Sequence, residues 1–388
     1  MKIIVIGGDG FCGWPTSLHL SANGHNVTIV DNFSRRQIDN ELNTKSFTDI
    51  KPLEERLQKW NSINNIPIHY IQIDVAKEYS KLKDFIDASN PDTIIHLGEQ
   101  RSAPYSMKND ETRSYTVQNN LMGTHNILNI IVEVNPDIHF VHLGTMGVYG
   151  YGTVSDTIIP EGYVDVKMKD KHGVEKPVNI LHPSYPGSIY HMTKTQDALF
   201  FQFYAKNWGL KITDLHQGII WGLHTYETKL HPDLINRLDQ DSDYGTVLNR
   251  FLLQSVCDYP LTIYGSGKQT RAFIHIQNSV QCIKLAVENP PEKGENVKIF
   301  NQMTETIQLN TLANTIKALY PKTTVQNVKN PRKELDENSL EVENTQFLDL
   351  GLEPIYVNNR DYLDELYNAM EDYKDNFIDA NMLPCSFW

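Results

Sequence analysis

The stretch "KIIVIGGDGFCGW", residues 2–14, restricts the folds open to this chain more than any other segment. An apolar run of strand character passes straight into a glycine-rich turn and then into a helical pattern, "PTSLHLSANG". Gly7, Gly10 and Gly13 form Gly-x-x-Gly-x-x-Gly. Glycines so spaced permit a tight turn and close backbone approach, and they leave a helix N-terminus facing a pyrophosphate. The next run, "NVTIVD", closes on Asp31, where a carboxylate can accept hydrogen bonds from adenosine ribose hydroxyls and repel a 2′-phosphate. Arg35 and Arg36 cut the other way, since either could pair with such a phosphate or simply be solvated loop residues. The pattern favours NAD over NADP.

Four further runs continue the alternation of strand and helix: "IHYIQID" (68–74), "DTIIHLG" (92–98), "IHFVHLGT" (138–145) and "LKITDLHQGIIWG" (210–222). Runs this apolar suit strands covered on both faces, and the alternation predicts an α/β fold with a Rossmann-type, doubly wound parallel sheet. Residues 32–66 are long for a link between strands, and "DIKPLEERLQKWNSI" within them has helical spacing. Past residue 222 the pattern changes, with helical segments at 245–257, 278–288 and 309–320 set between short apolar runs. Residues 1–222 therefore read as the nucleotide-binding domain, rejoined by a segment near 270–290. Residues 223–388 read mainly as a smaller mixed α/β substrate-binding lobe.

The net charge of −13 over 388 residues leaves no basic surplus for a nucleic-acid partner. Four scattered cysteines, Cys12, Cys257, Cys282 and Cys385, show neither a disulfide framework nor zinc-ligand spacing, so no metal is expected. No run is long and apolar enough for a membrane span, and Met1 leads almost directly into "IIVIG", leaving no room for a leader. A cytoplasmic location is the expectation.

In "SIYHMTK", Tyr190 and Lys194 stand four apart, on one face of a helix. A free phenol with a pKa of about 10 is a poor base near neutrality. An ammonium one turn away favours the phenolate, and the same lysine can hydrogen-bond a nicotinamide ribose. Thr145 closes the fifth apolar run and can hold a reacting hydroxyl in line. The glycine spacing, the Thr145 position and Tyr-x-x-x-Lys together resemble the extended short-chain dehydrogenase/reductase family. Asn119, in "QNNLMGT", matches that family's asparagine after the fourth strand, and also reads as a helix cap. Candidate cofactor contacts are Gly7, Asp9, Gly10, Phe11, Cys12, Gly13, Asp31, Asn32, Arg35, Arg36, Asp74, Val75, Asn119, Tyr190, Lys194 and Gln217.

Longer blocks narrow the resemblance. "HLGEQRSAPYSM", "HLGTMGVYG", "YHMTK", "TDLHQGIIWG", "YGTVLNRF", "PLTIYGSGKQTRAFIHI", "FNQMTE" and "NPRKE" are similar to the UDP-sulfoquinovose synthase family. That resemblance implies UDP-glucose and sulfite as substrates. The implied course is NAD-dependent oxidation at C4, loss of the 6-hydroxyl to a 4-keto-5-ene, sulfite addition at C6 and reduction back at C4. Dehydratases of the wider family follow the threonine with Asp-Glu as acid and base for the elimination, whereas this chain has Met146 and Gly147. His191 is a candidate for that proton work, with an ordinary pKa of about 6.5, although helical neighbours diverge by about 100° and a structural histidine fits as well. The remaining substrate candidates are Arg101, Thr145, Gln217, Thr246, Asn249, Arg250, Thr262, Gln269, Arg271 and Arg332, the arginines because a guanidinium fork pairs two phosphate oxygens. A UDP-glucose 4-epimerase shares Thr145, Tyr190 and Lys194, and an NAD-sensing binding protein shares the fold. A homodimer and a sulfite-delivering protein complete the expected partners.

Overall fold

Consecutive residues of the first strand, Ile3, Ile4, Val5 and Ile6, are all buried, but they divide between two cores. Ile3 and Val5 pack with Trp14, Leu18 and Ile29 on one face, while Ile4 and Ile6 pack with Ile94, Ile127 and Phe140 on the other. Side chains alternate along a strand, so an unbroken apolar run satisfies both faces only when each is covered. In the computed structural model, which describes residues 1–150, 158–182, 184–335 and 339–388, seven such strands form one parallel sheet. They are β1 (Lys2–Ile6), β2 (Asn26–Asp31), β3 (His69–Gln72), β4 (Thr93–His96), β5 (His139–Leu143), β6 (Ile212–Gln217) and β7 (Lys298–Gln302). The order across the sheet is β7-β6-β5-β4-β1-β2-β3. Winding reverses between β1 and β4, and ligands of open α/β sheets gather at the crevice this reversal creates.

Helices cover both faces of the sheet: α1 (Gly13–Ala22) packs beside α4 (Ile276–Glu288), and α2 (Asp110–Val134) beside α3 (Ile189–Trp208), with helix Tyr79–Ser89 against α2. Asn109 and Thr112 form a capping box that starts α2, and the Ser188 hydroxyl caps α3 by accepting from His191 N at 3.2 Å. Gly209, at φ +67°, ends α3 in the left-handed region.

The run 210–222, expected as one strand, breaks at Gly218. Its first part is β6, and its second, Ile219–Trp221, joins a separate sheet with Thr270–His275 and Glu305–Gln308. A Cβ on Gly218 would meet Ala272 O at 3.0 Å, so the switch between sheets needs a glycine. Gln217 thereby comes to lie where the two lobes meet. The smaller lobe packs helices Val247–Val256, Leu309–Leu319 and Arg360–Glu371 around Trp221, Phe251, Phe273 and Leu363. Segment 32–66 contains helices Ser34–Glu41 and Leu53–Ile63 and sends Phe47 into the smaller lobe's core. It also pairs with the polar stretch after residue 223, through Phe47 N to Leu238 O at 2.8 Å. An antiparallel ribbon, Tyr163–Lys169 with Glu175–Leu181, falls between β5 and α3, in a stretch that shows no strand pattern.

The turn between β1 and α1 has no slack. A Cβ on Gly13 would lie 2.0 Å from Gly7 O. Gly13→Ala should therefore cost about 1–3 kcal/mol of stability, as overpacking does. The expected result is a lower melting temperature together with loss of co-purifying dinucleotide, measured by thermal unfolding and by nucleotide content.

Candidate active site

One cavity of about 350 Å³ runs from the Gly7–Gly13 turn to the smaller lobe. At its dinucleotide end Asp31 finishes β2 and accepts from Asp9 N at 2.8 Å and Phe33 N at 2.7 Å. Burial, helped by the Asp9 carboxylate, raises Asp31 to about 6. The two arginines that could have served a 2′-phosphate are committed elsewhere. Arg36 pairs with Asp9 at 2.5 Å, and Arg35 pairs with Asp39 at 2.6 Å and Asp239 at 2.9 Å. A pocket edged by carboxylates whose cations are already engaged fits NAD. Phe11, Cys12, Asn32 and Val75 line the same end. Phe11 O is held by Asn236 Nδ2 at 2.8 Å, so the polar stretch 224–243 braces the glycine turn from outside.

Three cofactor candidates do not line the cavity. Asp74 lies just behind Asn32, accepting from its Nδ2 at 3.2 Å, and Arg36 faces Asp9. Asn119 is neither a cap nor a wall residue. It sits within α2, buried, and donates to Asn120 Oδ1 at 3.1 Å.

At the reacting end Thr145, Tyr190, His191 and Lys194 come together. Tyr190 is 8% exposed and opens onto the cavity. Burial raises its phenol above the ordinary value; Lys194 and a hydrogen bond from Thr145 pull it back only in part. The sequence pattern alone had suggested a lowered phenol, because it does not register how dry this helix face is. Lys194 Nζ is 2.7 Å from a Glu99 carboxylate oxygen, 3.1 Å from His142 Nε2, and donates to Leu143 O at 2.6 Å.

His191 also faces the cavity, its ring 5.1 Å from that of Tyr190. A Cβ on Gly147 would lie 2.2 Å from His191 Cδ2, so the imidazole occupies the room a side chain at 147 would need. Its Nδ1 lies 3.1 Å from the Ser188 hydroxyl. Burial, with Arg332 and Arg271 nearby, lowers His191 to about 3, so the ring is neutral and in its base form at neutral pH.

In the smaller lobe Arg250 donates to the Tyr264 hydroxyl at 2.8 Å and to Thr262 O at 3.3 Å. Thr246 donates to Ile220 O at 2.9 Å and Gln269 to Tyr264 O at 2.8 Å. Arg271 pairs with Glu334, and Arg332 lies beside it on the cavity wall. Asn249 departs from expectation: it clamps the Gly222 backbone at 2.9 Å and does not face the cavity. Arg101 reaches the cavity but is tied to Asp239 in a buried cluster with Arg35 and Arg237.

Two features of the wall escaped the sequence reading. Glu99 lies within the quoted block "HLGEQRSAPYSM", yet nothing in its spacing ties it to Lys194. Pro384, Cys385, Ser386 and Trp388 line the cavity from the other end of the chain. Trp388 joins the two lobes, donating Nε1 to Gly187 O at 2.8 Å while its backbone N bonds Pro331 O at 2.8 Å. Glu99, His142 and Asp197 offer ligand atoms within 4.8 Å of one another. The Lys194 ammonium already occupies Glu99, and both His142 nitrogens face carboxylates, so the group is a charge network without room for a cation.

Comparison with known proteins agrees with this geometry. Residues 3–301 match the NAD dependent epimerase/dehydratase family. The chain is 37% identical to the chloroplastic UDP-sulfoquinovose synthase of Spinacia oleracea, over 100% of its own length and 79% of the relative's. It is 35% identical to the UDP-sulfoquinovose synthase of Sulfolobus acidocaldarius, over 91% and 88% of the two chains. Among solved structures, UDP-glucuronic acid 4-epimerase from Bacillus cereus, in complex with UDP-glucuronic acid and NAD, superposes with a TM-score of 0.69 at 21% identity, covering 96% of this chain and 99% of that one. UDP-glucose 4-epimerase from Thermotoga maritima, with UDP-glucose, gives 0.66 at 20% identity over 97% and 98%. The fold is thus that of the sugar-nucleotide epimerases, and the chain belongs to the NAD dependent epimerase/dehydratase family and, within it, to the UDP-sulfoquinovose synthase family.

Proposed function

We propose that this protein converts UDP-glucose and sulfite to UDP-sulfoquinovose. The observation that carries the reading is the pairing of Gly147 with His191: the position where dehydratases hold a glutamate is empty of side chain, and a neutral imidazole fills the space beside Thr145 and Tyr190. When bound, NAD supplies a reversible hydride acceptor. Thr145 holds the C4 hydroxyl and Tyr190 takes its proton, while Lys194 keeps the phenol in place. The C4 ketone acidifies the hydrogen at C5. His191, in its base form, takes that proton and, once charged, is the acid the departing 6-hydroxyl needs. Sulfite then adds at C6 of the conjugated ketone, and the C5 carbanion this forms takes back a proton through His191, recharged from bisulfite or water. Arg271, Arg332 and Arg250 are placed to hold the diphosphate, whose negative charge also makes a charged His191 easier to form. Arg101, although tied to Asp239, is the cation nearest the β4 turn for sulfite. The Trp388 bridge across both lobes favours a site closed to water during the elimination.

Among the described residues no helix is long and apolar enough to cross a membrane, and all four cysteines are free thiols. We place the protein in a reducing, cytoplasmic setting. Exposed Met122 on α2, with Leu199 and Phe203 on α3, supports pairing of two copies through these helices. A separate sulfite-delivering protein is compatible with this arrangement.

Four tests follow from the site. Purified protein given UDP-glucose and sulfite should form UDP-sulfoquinovose, detected by mass. Formation of UDP-galactose with indifference to sulfite would assign an epimerase instead. His191→Ala should keep C4 oxidation, seen as bound NADH absorbance, but lose sulfosugar formation by about 10²–10⁴-fold and fail to exchange solvent deuterium into C5. Cofactor released on denaturation should have the mass of NAD. Asp31→Ser alone should not confer NADP binding, measured by titration of the emptied protein, because Arg35 and Arg36 stay paired with other carboxylates.

A further inference from the structure

Around Lys194 lies a chain of ionisable side chains to which the proposed reaction assigns no role. One Glu99 oxygen is 2.7 Å from the Lys194 ammonium. The other accepts from Thr124 at 3.0 Å and lies 3.1 Å from His142 Nε2. His142 Nδ1 is 2.8 Å from Asp214, which is 3.0 Å from His216 Nε2 through its second oxygen. His216 Nδ1 lies 2.7 Å from the Tyr149 hydroxyl, and Tyr149 donates to Asn301 on β7 at 2.5 Å. The side chains of Glu99, His142, Asp214 and His216 are each 2% exposed or less. Burying this many ionisable groups costs stability unless each is paired, and removing one member leaves an uncompensated charge.

Every element packed around Lys194 contributes. The turn after β4 brings Glu99 and Arg101, β4 brings His96 at 3.4 Å from Glu99, β5 brings His142, and β6 brings Asp214 and His216. α3 itself carries Tyr190 and Asp197, and α2 carries Thr124. Glu99 is held below the ordinary carboxylate range: burial opposes its charge, but Lys194 and His142 outweigh burial. His142 is pushed down by burial and by Lys194, yet Asp214 and Glu99 together raise it to about 9. Asp197 is driven well up by burial and by Glu99. Lys194 and His142 thus carry two positive charges against Glu99 and Asp214. The Lys194 charge that Tyr190 feels is already largely answered by Glu99.

The proposed cycle needs that balance, because Tyr190 must work in both directions. In the first half the C4 O–H bond breaks, its proton passes to the Tyr190 oxygen, and the C4 hydride leaves to NAD. In the last half the hydride returns to C4 and the Tyr190 proton returns to the C4 oxygen. A lysine without a counter-ion would favour phenolate throughout, helping the first half and hindering the last. We propose that Glu99 is a positioning residue that shares the Lys194 ammonium with Tyr190 and so keeps the tyrosine proton exchangeable in both halves of the cycle. This rests on the reaction assigned above.

Glu99→Gln tests it in the NAD-loaded protein. Ionisation of Tyr190 is read by NMR of isotopically labelled tyrosine, assigned against Tyr190→Phe. The pH dependence of C4 oxidation is read from bound NADH absorbance on mixing with UDP-glucose alone. With the carboxylate charge gone, both titrations should move to lower pH by about one unit. Return of the hydride after sulfite addition should slow by about tenfold or more. Titrations that stay at the wild-type pH, at full rate or at a uniformly reduced one, overturn the proposal. Should Glu99→Gln not fold, Glu99→Asp draws the carboxylate back by one methylene and should shift both titrations in the same direction by less. An unshifted profile there is equally fatal. If the wild-type protein epimerises UDP-glucose and ignores sulfite, the reaction assignment falls, but the Tyr190 titration in the variant still decides the role of Glu99.

Discussion

Between the turns that leave β1 and β4 there is no space for a side chain. A Cβ on Gly7 would lie 2.6 Å from Gly98 N, and one on Gly98 would lie 2.8 Å from Ile6 Cγ2. This backbone contact fixes the crevice at the point where the sheet reverses, and the site is assembled outward from it. On one side Gly7 adopts φ +85° and turns the chain into α1, which aims the helix N-terminus at the cavity. On the other side Glu99 and Arg101 follow within three residues, so the partner of Lys194 and a substrate-side cation are both set by the β4 turn. A larger residue at either glycine would separate the dinucleotide end from the reacting end.

The interior around that contact is held by charge as much as by packing. Lys194 with Glu99 and His142 with Asp214 are close, buried pairs, and Asp197 lies beside them, 3.9 Å from His142 Nε2. Pairs of this kind contribute little net stability compared with apolar residues of the same volume, but losing one partner is expensive. Their presence under a catalytic helix is therefore explained better by function than by folding. A second cluster of paired charges lies along the cavity wall. Arg35, Arg101 and Arg237 are shared among Asp39, Asp239 and Asp241, which joins segment 32–66 to the stretch after residue 223. That junction braces the glycine turn and removes Arg35 from competition for a phosphate.

The parallel sheet was readable because its strands are covered on both faces and so appear as unbroken apolar runs. β1, β2, β4 and β5 lie within one or two residues of the runs that predict them. Thr145, Tyr190 and Lys194 were readable because strand end and helical spacing fix them locally. What the sequence hid depends on distance along the chain. Glu99 and Lys194 meet across 95 positions, and Trp388 meets Gly187 across 201. No periodicity encodes such contacts. Asn249 shows the opposite error: it stands in a block that resembles a nucleotide-binding lobe, yet its amide is spent on the Gly222 backbone. The ribbon 163–181 was missed because both its faces are largely exposed, so it shows no apolar alternation.

The departure from the dehydratase pattern at Met146 and Gly147 is the point where local packing and chemistry become one constraint. A side chain at 147 would displace the His191 imidazole from its place beside Tyr190, since even a methyl group there would lie 2.2 Å from the ring. In the proposed cycle the proton-handling group moves from the end of β5 to the first turn of α3, and its charge type changes with it. A carboxylate is anionic in its base form, and would repel an incoming sulfite anion at C6. A buried imidazole is neutral in its base form and cationic after taking a proton. In the proposed cycle the imidazolium gives its proton to the departing 6-hydroxyl, so the ring is neutral when the conjugated ketone has formed and puts no negative charge in the path of the sulfite anion. Burial, with Arg332 and Arg271 nearby, keeps the His191 ring neutral in the free protein; in the proposed reading a diphosphate held by those arginines eases its protonation. In the proposed cycle Gly147 thus makes room for an acid–base group that carries no negative charge while an anionic nucleophile approaches.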